Sequence, residues 1–430
     1  MSETIVEIDP IEESNEIGGT KGTKFLLYII AGLSSAAVFI ARTFIGLYAA
    51  FIQSSALAIS FIVSLRNLIQ QVFQFTFGRI SDRVGRKIVM LIGIIVAGVS
   101  LALFPLIKSG WVLVGGVVAF SIGFSIYYPS FTAIQGDITN RKNRAGLISL
   151  ITIIGAVATL IGLIVVGFAG EIGTNEAMKY TIILESTAGI FLLAAIVSIF
   201  LHDPPREKLK EKTPFSFKPL RVNPNFRRFV IVNSIMAFTM ALGWPIFPIV
   251  REEYATTLQN TWIWAIFAGC QIIVLLATYK LINRVGRKPL LLLGRIIMFI
   301  VPLVLAISIR WVPDWRIYII SGSLSGASNA LYMVGQNSFI LDSATEKEKG
   351  TYTGVYNFFI GISTFLASLI MGFIADYLIA NFDQWTILFI LNLVIAGARF
   401  LGGFSFFFIK EPIQSQIENK LDAEFSTQTS

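Results

Sequence analysis

Long apolar runs alternate with short polar segments along almost the whole chain. Runs of about 20 residues or more, the length that crosses the hydrocarbon core of a bilayer as a helix, lie at 25–50, 56–77, 88–107, 111–135, 145–169, 180–201, 229–250, 259–281, 289–309, 316–341, 351–379 and 385–409. We number these twelve runs spans 1 to 12 in chain order. Because a backbone in lipid must satisfy its own hydrogen bonds, each span is predicted to be helical. The pattern predicts an all-α integral membrane protein.

Lysine and arginine are distributed unequally between alternate connections. The connections on the side of the two termini, tails included, hold 25 of these residues, and the connections on the other side hold five. In membrane proteins the cytoplasmic connections carry the excess of lysine and arginine. The asymmetry predicts a multi-pass protein of the plasma membrane with both termini in the cytoplasm. The net charge of +8 follows from this asymmetry, so no nucleic-acid partner is expected.

Composition agrees with lipid as the main solvent. The chain is 55% hydrophobic and 14% charged, with a mean hydropathy of +0.73, whereas soluble domains carry about 25% charged residues. The polar tails at 1–22 and 411–430 are expected to be disordered, and no cleavable signal peptide is expected at the acidic start. Residues 203–226 are predicted to form a cytoplasmic linker between two bundles, 23–202 and 227–410.

Two polar segments indicate that the bundles are repeats. The sequence GRISDRVGRK at 78–87 separates spans 2 and 3, and a weaker copy, YKLINRVGRK at 279–288, separates spans 8 and 9. Gly85 and Gly286 are 201 positions apart, as are Asp82 and Asn283. Polar residues of span 4 also recur in span 10 at an offset of 204. Two parallel repeats of six helices are therefore predicted, an arrangement found in transporters.

Residues 78–87 resemble the signature of the major facilitator superfamily, glycine-x-x-x-aspartate-arginine-x-glycine-arginine-lysine, in its twelve-helix drug and solute antiporter branch. The resemblance implies a twelve-helix secondary active transporter that works by alternating access. It also implies a cytoplasmic gate built on the two repeated segments. In the first half the expected gate residues are Gly78, Asp82, Arg83, Gly85, Arg86, Lys87, Asp137 and Arg144. In the second half they are Asn283, Arg284, Gly286, Arg287, Asp342 and Gly350.

Charged residues inside the spans are candidates for function because they are costly in hydrocarbon. Four arginines lie well inside spans: Arg42, Arg66, Arg295 and Arg399. The resemblance implies that spans 1, 4, 7 and 10 line a central cavity and that spans 9 and 12 are peripheral. The last two arginines are therefore expected to be structural or to extend toward the membrane surface.

The predicted substrate cavity combines the two remaining arginines with polar and aromatic residues on several spans. Its residues are Arg42, Arg66, Gln70, Asn233, Trp244, Gln271, Asn329, Tyr332, Gln336 and Tyr356. For the polar face of span 2, a seam of hydrogen bonds between helices is an equally good interpretation. Pro245 and Pro248 are expected to break the outer end of span 7.

Acidic residues are scarce in the spans, and none is expected near a helix midpoint. Glu185, about one turn into span 6, and Asp376, near the outer end of span 11, are the candidates for proton coupling. Proton antiport is therefore predicted to be weak or absent, or to run through one of these two carboxylates.

The predicted function is secondary transport of a small organic solute across the membrane. Efflux of drug-like compounds agrees with the signature segments and the 13% aromatic content. An anionic solute, such as a sugar acid, an organic acid or a phosphate ester, agrees with embedded arginines. An intramembrane enzyme is a remote alternative, since the chain has one histidine, one cysteine and no embedded carboxylate pair. The partners expected are the solute, a proton or other coupling ion, and lipid; the protein is predicted to be a monomer without cofactor or metal.

Overall fold

The computed structural model describes residues 21–138, 141–201, 216–344 and 348–411. These residues form helices and no strand. Ten of the described helices are long and apolar enough to cross a membrane. The expected disordered tails, apart from residues 21–22 and Glu411, and most of the linker lie outside the described residues. The all-α membrane fold predicted from the sequence is confirmed.

The helices follow the predicted spans closely. Spans 1 to 6 are Lys21–Phe51, Ala56–Val84, Arg86–Ala102, Gly110–Asp137, Arg141–Gly170 and Glu176–Ile199. A short helix, Lys218–Val222, precedes the second half. Spans 8, 10, 11 and 12 are Thr257–Val285, Ile317–Asp342, Lys349–Asn381 and Gln384–Phe404. Spans 7 and 9 are each divided into two helices, as described next.

Span 7 consists of Pro224–Ala241 and an outer segment, Phe247–Tyr254, separated by residues 242–246. The break predicted from Pro245 and Pro248 is therefore confirmed, because a proline cannot donate the backbone hydrogen bond that continues a helix. Span 9 consists of Arg287–Ile296 and Ile300–Arg310, joined by a tight 3-10 turn.

The signature segment, predicted from its polarity to be a connection between spans 2 and 3, is almost entirely helical. Span 2 continues as helix through Val84, span 3 starts at Arg86, and Gly85 alone separates them. Gly85 has a φ of 136°, and Gly286, which separates spans 8 and 9, has a φ of 86°. Residues with side chains rarely adopt such values. Charged residues form helices well once they are outside lipid, so the two glycines set the turns and the cations extend the helices.

The two halves meet through spans 2 and 11, spans 5 and 8, and spans 1 and 7. Small residues allow the close approach: the Ser60 side chain fills the space that a Cβ on Gly372 would need, and the Thr261 side chain does the same at Gly167. Such contacts replace hydrophobic association between helices in lipid. A central cavity remains between the halves.

Hydrogen bonds between the halves are found at the end of the bundle opposite the signature segments, which we call the closed end. The Leu57 amide donates to Asp376 Oδ1 at 3.1 Å, and Thr257 Oγ1 donates to Glu176 Oε2 at 3.0 Å. The Tyr180 hydroxyl donates to Glu252 Oε2 at 2.5 Å. The structure is therefore closed at the predicted outer side.

Candidate functional site

The central cavity has two connected chambers. The first, with a volume of about 390 Å³, lies toward the closed end, and the second, of about 300 Å³, lies beside it. Met240, Trp244, Arg295 and Asn329 line both. The volumes are in the range of sites that hold small organic molecules.

The first chamber is lined by five arginines. They come from five spans: Arg42, Arg66, Arg251, Arg295 and Arg399. The expectation that spans 9 and 12 are peripheral is wrong here, because Arg295 and Arg399 both reach this chamber. That these two arginines are structural stays a prediction. Arg251 was not expected here, because its place after span 7 puts it among the outer connections in the sequence. The proline pair just before it is the signal that this segment reaches the chamber.

The first-half arginines form one unit. Arg42 Nη2 donates to Gln70 Oε1 at 2.5 Å, and its guanidinium lies 5.2 Å from the centre of the Phe124 ring. Arg66 Nη1 donates to the Arg42 carbonyl oxygen at 3.4 Å. Gln70 is only 2% exposed, so it orients Arg42 and does not itself line a chamber.

The second-half arginines lie against aromatic rings. Arg251, 9% exposed, is 5.0 Å from the centre of the Trp264 ring, and Arg295 is 3.2 Å from that of Tyr332. A cation over a ring face is attracted to it, but the ring leaves the hydrogen-bond donors of the guanidinium free. The buried Nε atoms of Arg66, Arg251, Arg295 and Arg399 have no hydrogen-bond partner in the described part of the chain.

No aspartate or glutamate is among the described residues that line either chamber. The ion pairs seen elsewhere in the described residues do not involve any of the five arginines. Several cations removed from bulk water without anions repel one another, and each loses hydration. The chamber is therefore an electropositive site that an anion would stabilise.

The second chamber is polar and uncharged apart from Arg295. The Tyr332 hydroxyl donates to Asn233 Oδ1 at 2.6 Å and lies 2.7 Å from the Tyr356 hydroxyl. Six residues predicted for the cavity line this chamber: Asn233, Trp244, Asn329, Tyr332, Gln336 and Tyr356. Gln271 does not line it, and its amide nitrogen instead lies 3.4 Å from the Met333 sulfur. Substrate binding by these residues stays a prediction.

The signature junctions form matching ion pairs. Arg86 pairs with Asp137 in the first half, and Arg287 Nε lies 2.9 Å from Asp342 Oδ2 in the second. Each following lysine donates to a carbonyl at the end of the last span of its half: Lys87 to Ile199 at 2.6 Å and Lys288 to Phe407 at 2.9 Å. The two junctions are thus built alike.

The other residues predicted for the gate do not take part in these ion pairs. Arg83 and Gly350 are exposed, and Gly78 packs beside Pro129. The side chains of Asp82, Arg144, Asn283 and Arg284 lie outside the described residues. Their gate roles remain predictions.

The two carboxylates considered for proton coupling lie away from both chambers. Span 6 begins at Glu176 with Asn175 as its cap, so Glu185 is the tenth of 24 residues. The expectation that no carboxylate lies near a helix midpoint is therefore wrong; Asn175, a favoured capping residue, is the signal that would have corrected it. Glu185 is exposed on the outer face of the bundle, and Asp376 accepts the hydrogen bond from Leu57 at the closed end.

Comparison with known proteins shows to which family this architecture belongs. The family model described as Major Facilitator Superfamily matches residues 25–244 and 229–428, which together span nearly all of the chain. The chain belongs to the major facilitator superfamily. It is therefore a multi-span membrane protein of a transporter family.

Relatives within the major facilitator superfamily are distant. Multidrug resistance protein MdtH of Photorhabdus laumondii is 25% identical over 51% of this chain and 54% of its own length. The match therefore spans about half of that relative. Uncharacterized protein YqgE of Bacillus subtilis is 27% identical over 66% of each chain. The crystal structure of nucleoside transporter NupG covers 90% of this chain and 98% of its own, with a TM-score of 0.69 at 14% identity, a likeness of fold alone.

Proposed function

We propose that this protein transports an organic anion with at least two negative charges by alternating access between the two sides of the membrane. The observation that carries the proposal is the set of five arginines on one chamber without an acidic residue in its described lining. Two of them, Arg42 and Arg66, come from the first half, and three come from the second.

The charge of the substrate follows from the number and placement of the cations. Guanidinium groups bind carboxylate and phosphate oxygens through paired, charge-assisted hydrogen bonds. One singly charged group can neutralise one arginine, whereas cations from both halves require an anion with more than one charge. The hydroxyl and amide groups of the second chamber then face the uncharged part of the solute.

Efflux of a drug-like compound is the second candidate. Aromatic residues of the first chamber favour it: Phe39, Trp244, Trp264 and Phe267. The names of the MdtH relatives point in the same direction. A cationic drug would be repelled by the arginines, since like charges interact strongly where water is scarce. Within this candidate, an acidic amphiphile is the compound class that suits both features.

Counterflow in proteoliposomes tests the proposal over a panel of phosphate esters, dicarboxylates, monocarboxylates, neutral sugars and lipophilic cations. We expect counterflow with compounds of charge −2 or more, loss of it in Arg42→Gln, and no loss in Arg310→Gln. The last substitution removes the same charge from an exposed position at the end of span 9. Counterflow by lipophilic cations without any by anions would overturn the proposal.

The same vesicles test coupling. Since no carboxylate is among the described lining residues of either chamber, we expect anion exchange that an imposed pH gradient does not accelerate. Acceleration that disappears in Glu185→Gln or Asp376→Asn would assign proton coupling to that carboxylate instead.

A further inference from the structure

Arg399 differs from the other four arginines because it donates to two backbone carbonyls on two different spans. It lies on span 12, is 1% exposed, and donates to two carbonyl oxygens: Nη2 to Met240 at 2.7 Å and Nη1 to Met298 at 3.3 Å. These two carbonyls belong to the two broken spans, 7 and 9. Each has lost its regular helical donor, for a different reason.

In span 7 the lost donor is the Trp244 amide. In a regular helix the amide of residue 244 would bond to the carbonyl of residue 240. Here it donates to the Ala241 carbonyl at 3.2 Å, because Pro245 has no N–H for that acceptor. The Met240 carbonyl is left at the break, where Arg399 donates to it.

In span 9 the donor is missing because the residue in its place is a proline. The regular partner of the Met298 carbonyl is residue 302, and Pro302 lacks an N–H. The tight turn Ile297–Phe299 lies at this point. An uncompensated carbonyl in a membrane interior costs free energy, and one guanidinium supplies donors to both breaks.

We propose that Arg399 is a positioning residue for alternating access: it fixes the outer segment of span 7 and keeps the closed end shut. Its guanidinium also lies 4.8 Å from the centre of the Phe247 ring, the first residue of that segment, and this ring packs on Gly243 in the break. Arg399 therefore contacts the break from both of its sides.

The outer segment of span 7 carries residues that close the outer end and a residue that lines the first chamber. Glu252 accepts the hydrogen bond from Tyr180 of the first half, and Pro248 packs beside Gly46 of span 1. Arg251, on the same segment, lines the first chamber. Release of Arg399 would free this segment, open the closed end and displace one substrate arginine. The inference rests on alternating access in the proposed function, but not on the charge of the substrate.

Labelling of a cysteine behind the closed end tests the inference without any substrate. Leu47, 2% exposed, lines the first chamber near the outer end of span 1. Leu47→Cys in a Cys270→Ser background is treated with a membrane-impermeant maleimide from the side opposite the termini. We expect about a tenfold faster reaction in Arg399→Met, equivalent to roughly 1.4 kcal/mol. An intermediate rate is expected in Arg399→Lys, whose single ammonium replaces a two-armed donor, and no change in Arg310→Met.

Two proline substitutions, compared by melting temperature, test whether Arg399 replaces the missing donor at the Met298 carbonyl. In the Arg399→Met background, Pro302→Ala supplies an N–H to the Met298 carbonyl and should recover part of the lost melting temperature. The control is Pro289→Ala, at an exposed position in the first turn of span 9, where no helical bond is missing; no recovery is expected. Labelling at position 47 should stay fast in both double variants, because the Met240 carbonyl in span 7 still lacks a donor.

Two results would overturn the inference. One is folded Arg399→Met or Arg399→Lys protein that labels at the parental rate. The other is equal recovery of the melting temperature by both alanine substitutions. Neither result bears on anion binding, which counterflow measures separately, so failure of this inference is distinguishable from failure of the proposed function.

Discussion

The two halves of the molecule are alike at the signature junctions and different in the middle of the membrane. Each junction has a glycine with positive φ, an arginine paired with the aspartate that ends the fourth span of its half, and a lysine bound to a carbonyl at the end of the sixth. In the interior, span 1 is one continuous helix of 31 residues, whereas its counterpart, span 7, is broken.

The arginines follow the same division. The first half contributes two, held by a glutamine, a carbonyl and a phenyl ring, and the second contributes three, held by aromatic rings and the ends of broken helices. The repeated junctions agree with the proposed alternating access, which would require the halves to move as similar units. The arginine lining does not repeat, and a small organic solute of the kind proposed has no twofold symmetry to match.

The largest effect is expected where the halves differ. Arg42→Gln and Arg251→Gln should each weaken binding of a dianion by about ten- to a hundredfold, because a hydrogen bond to a charged group contributes about 1.5–3 kcal/mol. Equilibrium binding of pyrophosphate to purified protein measures this, with Arg310→Gln as the control of equal charge change. An effect confined to one half would show that the other half's arginines are structural.

A smaller and equal effect is expected where the halves match in backbone geometry. Gly85→Ala and Gly286→Ala should each lower the unfolding free energy by about 1–3 kcal/mol, since a side chain is strained at these φ values. Gly350→Ala is the matched control, at an exposed helical site with no neighbour within 4 Å. Thermal melting in detergent provides the comparison. A loss at one junction alone would contradict the repeat.

The smallest effect is expected at the junction ion pairs. Asp137→Asn and Asp342→Asn should each reduce stability by about 1 kcal/mol, because these pairs are partly exposed and solvent screens them. Their carboxylate-bearing side chains are 23% and 33% exposed. Melting temperatures of the two variants should agree closely. A several-fold larger loss at one site would show that only one junction depends on its ion pair.

The sequence was sufficient to predict most of the fold. Apolar length located the spans, and the 201-residue offset between Gly85 and Gly286 located the repeated junctions. The polar residues of the second chamber were also found, because Asn233, Tyr332 and Gln336 interrupt otherwise apolar spans and must face protein or water. These features can be read from residue types and their spacing alone.

Most of the arginine site could not be predicted, because it depends on broken helices. Arg399 is held near the centre by two carbonyls that have lost their usual donors at prolines. This arrangement joins three spans, and no local sequence pattern reveals it. Arg251 lines the first chamber although it lies beyond the break in span 7. Its place near a helix end looks, in sequence, like that of a residue in an outer connection.

Ligand-induced thermal stabilisation shows whether the cavity binds an anion. Purified protein is melted with increasing pyrophosphate or tetraphenylphosphonium at constant ionic strength. A ligand at a hundred times its dissociation constant stabilises the folded protein by about 2.7 kcal/mol. Anion binding predicts stabilisation by pyrophosphate that Arg42→Gln weakens and Arg310→Gln preserves, with none by tetraphenylphosphonium. Stabilisation by tetraphenylphosphonium, with none by pyrophosphate, would contradict it.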